Sequence, residues 1–386
     1  MLTFTTVATA GAARAGLLTT RRGVVETPAF MPVATRATVK AAAPEEVAAT
    51  GARMVIMNTY HLWLRPGSEV VAAMGGLHEF SRWPWTIATD SGGFQAFSLA
   101  ARTRVSEAGF EFASHLDGRR LLLSPEESMR VQGELGSDVA LQLDVCPPGG
   151  AARPVLVDAV ERTTRWAERC LRSRRPDQAL FGIVQGGTDV ELRLAHAAAL
   201  GALPVEGLAL GGFSVGEPRA EMLRTLAAVG PRLDPARPRY LMGVGTPLDL
   251  VDAIECGIDL FDCVLPTRNA RNGQAFVASG KLSLRNARHR TDPRPLEPGC
   301  DCPACGAGFS RAYLRHLFLA GEILAHRLVT LHNLTHYQRV VRAARAAVVA
   351  GGFAGWAAGF RDALRADRDG EPEGAANPRR GGGIVG

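Results

Sequence analysis

Short apolar, β-branched runs recur along the chain, separated by longer stretches in which apolar residues return at helical spacing. Runs near Phe30–Val33, Met54–Met57, Thr86–Thr89, Val139–Leu143, Leu180–Val184, Gly207–Leu210, Tyr240–Met242 and Ile258–Phe261 predict strands. They show little polar alternation, as expected of parallel strands covered on both faces. Val155–Arg172, Val190–Ala199, Arg219–Val229 and Pro247–Glu255 predict helices between them. Strand and helix alternating in this way predict an α/β fold, a (β/α)8 TIM barrel. A doubly wound sheet is the alternative, but no GxGxxG follows a first strand. Residues 100–123 read as an insertion, a hairpin of Arg104–Val105 and Phe110–Phe112 followed by a turn at His115–Gly118. From about residue 264 the pattern becomes irregular, then cysteine-rich, then helical over Ser310–Leu319 and Leu331–Ala350. The expected organisation is a barrel over 1–263, a metal-binding subdomain with C-terminal helices packed on the barrel over 264–365, and a disordered tail over 366–386.

The residues that follow the strands carry the chemistry. Thr86–Thr89 runs into Asp90-Ser91-Gly92-Gly93-Phe94-Gln95, and Leu141–Leu143 into Asp144. Leu180–Val184 runs into Gln185-Gly186-Gly187, and Gly207–Leu210 into Gly211-Gly212-Phe213-Ser214. Tyr240–Met242 ends at Gly243, and Phe261 is followed by Asp262. In a parallel barrel these groups converge on the C-terminal rim, where active sites sit. Any single one could be a helix cap or a turn residue. Three carboxylates, a carboxamide and several glycine turns on one rim point further. No lysine lies at a strand end, which disfavours a Schiff base. Paired carboxylates suit displacement at an acetal-like carbon, one as nucleophile and one as general acid/base. An Asp and a Gln can read the edge of a heterocycle, with Phe94 and Met242 against its faces. Together they point to N-glycosidic chemistry on a nucleobase.

Cys300-x-Cys302-x2-Cys305 is followed 27 residues later by His332, with His316, His326 and His336 nearby. Three thiolates and an imidazole complete a closed tetrahedral site, so one structural Zn2+ is expected. The net charge is +6, and residues 261–345 hold 13 Lys/Arg against 5 Asp/Glu. A basic region on a near-neutral body fits a polyanion such as RNA or DNA, or a solvated basic face. Arg268 and Arg271, three apart in Thr267–Gly273, could grip phosphates or base edges. The 46% apolar and 21% charged composition excludes wholesale disorder, and no run of about 18 apolar residues predicts a membrane span. The N-terminus lacks a charged segment before an apolar one, so no secretory signal is expected and the location is read as cytoplasmic.

Taken together, DSGGFQAFSL (90–99), FGIVQGG (181–187), GGFSVGE (211–217), YLMGVGTP (240–247), FDCVLPTRNARNGQAF (261–276) and the Cys300–Cys305 cluster with Ser310–Tyr313 and His332-Asn333 resemble the tRNA-guanine transglycosylases, the queuosine-forming enzymes. The matches keep family order across residues 20–365. The resemblance implies a homodimer that exchanges guanine at the wobble position of tRNAs with GUN anticodons (Tyr, His, Asn, Asp). It implies Asp262 as nucleophile and Asp90 as general acid/base. Asp144, Gln185, Gly212 and Phe213 would read the base, with Phe94 and Met242 stacking on it. Glu217 would support a switchable peptide, and Arg268 and Arg271 would contact the anticodon loop. Val145 stands where many bacterial members have Glu, and Phe213 where Leu is usual. Cys146 and Val215 resemble the bacterial pocket for 7-aminomethyl-7-deazaguanine (preQ1) rather than the roomier queuine pocket. A non-catalytic tRNA-binding partner subunit and an archaeosine-type or queuine-type enzyme are the alternatives.

Overall fold

A computed structural model describes residues 2–99 and 103–366; the tail expected to be disordered lies, from 367 on, outside the described residues. Eight parallel strands close into a barrel: β1 (Ala29–Ala34), β2 (Met54–Met57), β3 (Thr86–Thr89), β4 (Val139–Leu141), β5 (Ala179–Val184), β6 (Gly207–Leu210), β7 (Arg239–Leu241) and β8 (Leu260–Cys263). Each pairs with the next, and β8 returns to β1 in the register Leu260↔Ala29 to Cys263↔Pro32. The strands are mostly apolar because both faces are covered; Thr86, Thr89, Arg239 and Asp262 are the exceptions. Met31, Ile56, Ala88, Leu141, Ile183, Ala209, Tyr240 and Leu260 form one cluster. Phe30, Val55, Ile87, Ala140, Leu180, Leu208, Leu241 and Phe261 belong to another, packed under the outer helices. Adjacent residues of a strand point to opposite faces, so the first set fills the barrel and the second faces the helices.

Five of the eight strands differ in their limits from the sequence expectation: β1 and β5 are longer by a residue at one or both ends, and β7 begins at Arg239. β4 stops at Leu141, β7 at Leu241, and β8 runs Leu260–Cys263 rather than Ile258–Phe261. The last shift places Asp262 inside the strand, so barrel pairing fixes its direction. The sequence also gave no sign of an antiparallel sheet of Thr3–Ala10, Ala13–Thr20 and Gly23–Thr27. Its Phe4, Leu18 and Val25 pack with Met31, Met54 and Val139 and close the N-terminal end of the barrel.

The insertion is more than a hairpin: Arg104–Val105 and Phe110–Ala113 are joined by a third strand, Arg120–Leu123. It is pinned to the helix Arg153–Ser173. Trp166 Nε1 donates to Glu107 O at 3.0 Å, and Phe110 meets the Trp166 ring edge-on at 5.4 Å. The stretch after β8 is regular, not irregular. Helix Leu265–Arg271 leads into a hairpin of Gln274–Val277 and Gly280–Ser283. The last long helix spans Ile323–Val349 and starts well before Leu331. Its first half, with Leu328 and Val329, packs in a core of its own with Leu282, Leu296 and Phe318. Its second half, with Leu334, Tyr337 and Val341, joins the barrel wall, and Gln338 Nε2 donates to Phe30 O of β1 at 2.9 Å. This helix therefore occupies the place of the barrel's outer helix between β8 and β1.

Candidate active site

The inward parity of the strands holds at and past their C-terminal ends. Asn58 follows Ile56 by two residues, Asp90 follows Ala88, Gln185 follows Ile183, Met242 follows Tyr240, and Asp262 follows Leu260. A period of two carries each of these side chains toward the barrel axis. A cavity of about 410 Å3 opens there, lined by Asp90, Phe94, Asp144, Gln185, Gly212, Phe213, Met242, Asp262 and Arg268. Nine of the eleven rim residues expected from sequence thus share one space. Glu217 and Arg271 stand outside its wall.

Asp262 is held by one oxygen. Tyr240 donates its hydroxyl to Oδ1 at 2.6 Å, and the Gly243 N–H donates to the same atom at 2.7 Å. No hydrogen bond from the described residues reaches Oδ2. A carboxylate fixed through one oxygen presents the other, with its lone pairs, to a ligand. Burial pushes the Asp262 carboxyl above its ordinary range, moderated by the Tyr240 and Gly243 bonds. Asp90 accepts from Thr59 N at 2.9 Å and from Asn58 Nδ2. Asn58 is itself fixed, because its Oδ1 caps helix Thr59–Leu64 at His61 N. Burial, joined by the negative charge of Asp262 and opposed by the Thr59 N–H, pushes Asp90 up to about 7. One carboxyl is then half-protonated near neutrality while facing another, which is the arrangement a general acid/base needs beside a nucleophile.

The base-reading groups form a second, linked set. Gln185 Nε2 donates to Asp144 Oδ2 at 2.6 Å, and Gln185 Oε1 is buried with no hydrogen-bond partner. Burial pushes Asp144 up to about 6, against the Gln185 bond. Burial and the Asp144 charge push Cys146 up to about 12, so it stays a neutral thiol. A carboxylate with no cation partner beside a buried amide oxygen suits the N–H-rich edge of a purine. Glu217 accepts from the N–H groups of Ser214 and Val215 and so fixes the segment after Gly212-Phe213. Phe213 is buried, its ring covered by the Arg193 guanidinium at 3.8 Å.

The arginines expected in a loop lie on helix Leu265–Arg271. Arg268 is exposed at the cavity edge. Arg271 lies close enough to lower Lys40, after the effect of burial, together with Arg36 and Arg268. Arg36 and Lys40, from the turn after β1, were missed from the sequence. They add to the positive charge around Arg268 and Arg271, a charge pattern suited to phosphates.

Away from the rim, Cys300, Cys302, Cys305 and His332 are all buried, with their ligand atoms within 4.8 Å of one another. His332 Nδ1 lies 3.7, 3.4 and 3.6 Å from the three sulfurs in that order. A tetrahedron with M–S of about 2.3 Å and M–N of about 2.0–2.1 Å has N···S edges of about 3.6 Å. The donor set therefore fits a tetrahedral metal ion. The other ring nitrogen, Nε2, hydrogen-bonds Phe276 O at 2.8 Å, which fixes the tautomer and aims Nδ1 at the sulfurs. His316, His326 and His336 are not part of the cluster; His336 instead faces Glu297 at 3.8 Å.

Residues 9–366 match the family model described as queuine tRNA-ribosyltransferase. A protein of that name from Sorangium cellulosum is 63% identical over 354 residues, covering 92% of this chain and 90% of the relative. Proteins of the same name from Aromatoleum aromaticum and Azotobacter vinelandii are each 53% identical, covering 93% and 91% of this chain and 97% and 94% of their own lengths. The chain belongs to the queuine tRNA-ribosyltransferase family.

Proposed function

We propose that this chain exchanges guanine at the wobble position of tRNAs with GUN anticodons for preQ1, by double displacement through an Asp262–ribose ester. The observation that carries the proposal is the pairing of two carboxyls at one cavity. Asp262 has Oδ2 uncommitted, and Asp90 is lifted to about 7. Asp262 attacks C1′ of the ribose; the C1′–N9 bond breaks and its electron pair leaves with guanine, which takes a proton from Asp90. The incoming base gives a proton to Asp90 as its N9 attacks C1′, and the ester opens. Two inversions retain the sugar configuration. Asp144 and the Gln185 amide read the purine edge, Phe94 and Met242 flank it, and Glu217 sets the peptide beside Phe213. Arg268 and Arg271, joined by Arg36 and Lys40, hold the anticodon-loop phosphates. The target base leaves its stack to enter the cavity, which a single-stranded loop permits readily.

The metal at Cys300, Cys302, Cys305 and His332 is zinc in this reading, since a Cys3His set without an open position suits that ion. Zinc supplies a cross-link between the Cys300–Cys305 loop and the long helix, remote from the reacting atoms. The chain acts as a homodimer in the cytoplasm, with 1–263 as catalytic barrel and 264–365 as a zinc-binding subdomain with C-terminal helices that pack on the barrel. Among the described residues no helix is long and apolar enough to cross a membrane.

The test is direct. Purified protein, unmodified tRNA-Tyr transcript and preQ1 are incubated, and the tRNA is digested and weighed. A mass shift confined to the anticodon fragment with preQ1, and much slower with queuine, supports the assignment. A shift with queuine alone, or in the D-arm, overturns the substrate.

A further inference from the structure

Arg193 is fully buried, in the first turn of the helix Val190–Gly201, directly behind the base cavity. No carboxylate of the described residues lies within ion-pair distance of it. Its guanidinium instead donates to four main-chain carbonyls: Nε to Gly187 O at 2.5 Å, Nη1 to Val184 O at 3.2 Å, and Nη2 to Gly211 O at 2.9 Å and Gly212 O at 3.4 Å. These carbonyls belong to the last residue of β5 and to the turns after β5 and β6, the two that carry Gln185 and Gly212. The glycines leave room for this packing. A Cβ on Gly186 would stand 2.9 Å from Arg193 Cγ, and one on Gly212 would stand 2.4 Å from Gln185 Oε1. His196, one turn further along the same helix, accepts the Gln185 N–H at Nδ1 at 2.9 Å.

A guanidinium withdrawn from water with no counter-ion is unfavourable, and carbonyl dipoles compensate it only in part. Arg14, by contrast, meets Asp259 elsewhere in this barrel. The Gly211–Gly212 peptide links the unpaired charge to the cavity. Its carbonyl accepts from Arg193, and its N–H, on Gly212, points to the cavity side at Cys146. A cation on the carbonyl side of a peptide strengthens the N–H on the other side as a donor.

We propose that Arg193 is a positioning residue whose buried charge fixes and polarises the Gly211–Gly212 peptide, so that the Gly212 N–H stabilises the negative charge that develops on the departing purine. The proposal rests on the transglycosylase reading above. As the Asp262–C1′ bond forms and C1′–N9 breaks, the electron pair moves onto the purine and spreads to its carbonyl oxygen. A preorganised donor at that oxygen lowers the barrier without tightening tRNA binding.

The experiment compares wild type, Arg193→Met and Arg193→Lys in exchange of labelled guanine into tRNA, with melting curves on each protein. Arg193→Met is expected to lower kcat about fiftyfold or more while the KM for tRNA stays within about twofold. Arg193→Lys, which keeps the charge but neither the planar fork nor the stack on Phe213, is expected to stay within about tenfold of wild type. If packing alone mattered, Lys and Met would be impaired alike. Equal impairment of the two folded variants, or an Arg193→Met enzyme within about threefold of wild type, overturns the proposal. Should Arg193→Met fail to fold, Arg193→Lys decides. A kcat within about tenfold at unchanged tRNA KM supports the role of charge, and a loss beyond a hundredfold in folded protein overturns it. Wild-type protein with no exchange activity would sink the parent reading instead, so the two failures are separable.

Discussion

The two ends of the barrel give buried aspartate different partners. At the N-terminal end, Asp138 meets Arg21 at 2.6 Å, His78 Nε2 at 3.1 Å and the Ile87 N–H at 2.8 Å. Burial would raise its carboxyl, but His78, Ile87 and Arg21 outweigh burial and the net shift is downward. At the C-terminal end, Asp90, Asp144 and Asp262 have only neutral donors, no cation in contact, and all three are pushed up. The first arrangement keeps its charge satisfied and stabilises the fold. The second keeps charge unsatisfied, which is tolerable only where a ligand completes it. The lesson is that a buried carboxylate reveals its role through its partners, not its burial.

The sharpest way to break this contrast is at the unsatisfied end. Asp262→Asn retains Oδ1, so the bonds from Tyr240 and Gly243 survive and the melting temperature should hold or rise slightly. Guanine exchange should fall by roughly 10^4-fold or more, because the reaction loses its nucleophile. Labelled-guanine incorporation with a denaturing gel for the covalent tRNA adduct measures both. Residual exchange near the wild-type rate would remove Asp262 from the chemistry. The cysteine cluster belongs with the satisfied end. Cys302→Ser should abolish stoichiometric metal by elemental analysis and lower the melting temperature by several degrees. A folded, metal-free variant of unchanged stability would show that the cluster holds nothing the fold needs.

A smaller effect is expected from Asp138→Asn. It leaves Arg21 and His78 without their anion, at roughly 3 kcal/mol, the low end of the range because Arg21 reaches solvent. Denaturant titration gives the stability loss, and exchange per folded molecule should be unchanged. A variant of full stability but impaired exchange would invert the assignment of the two ends.

The same contrast explains what the sequence disclosed. The barrel was legible because strands covered on both faces are mostly apolar on both, which marks β1 to β8 even when their ends shift by two residues. The N-terminal sheet was hidden because its first strand is largely exposed and consists mostly of Thr and Ala. Asp90, Gln185 and Asp262 were legible because each interrupts an apolar run at inward parity. Asn58 follows Met54–Met57 by the same rule and could have been found by it. Tyr240 was not legible, since inside an apolar strand it reads as core, and its hydroxyl matters only once β7 pairs with β8. Arg193 reads as a charge on a solvated helix until the fold buries it. Spacing left four histidines open for the metal, and the orientation of helix Ile323–Val349 selects His332.

The finest test of the contrast is a pH titration of stability at Asp90. Its carboxyl is lifted to about 7 in the folded protein, against 3.8 as its ordinary value. Between these values the folded state binds a proton that the unfolded chain has released. Raising pH through this window therefore favours unfolding, and above about 7 the effect saturates. Other groups obscure it in the wild type alone, because burial lowers His61 and His196 to about 4 and so opposes it over the same range. The difference between wild type and Asp90→Asn cancels them. The variant loses a hydrogen bond at Asn58, which offsets its curve by a constant but not its slope. From pH 5 to pH 8 the wild type should lose about 2–5 °C of melting temperature relative to the variant, most of it below pH 7.5. Parallel curves would mean that Asp90 ionises like a surface carboxylate. The cavity would then hold two fixed anions and no acid, and the proton that guanine needs as it leaves would have to come from elsewhere.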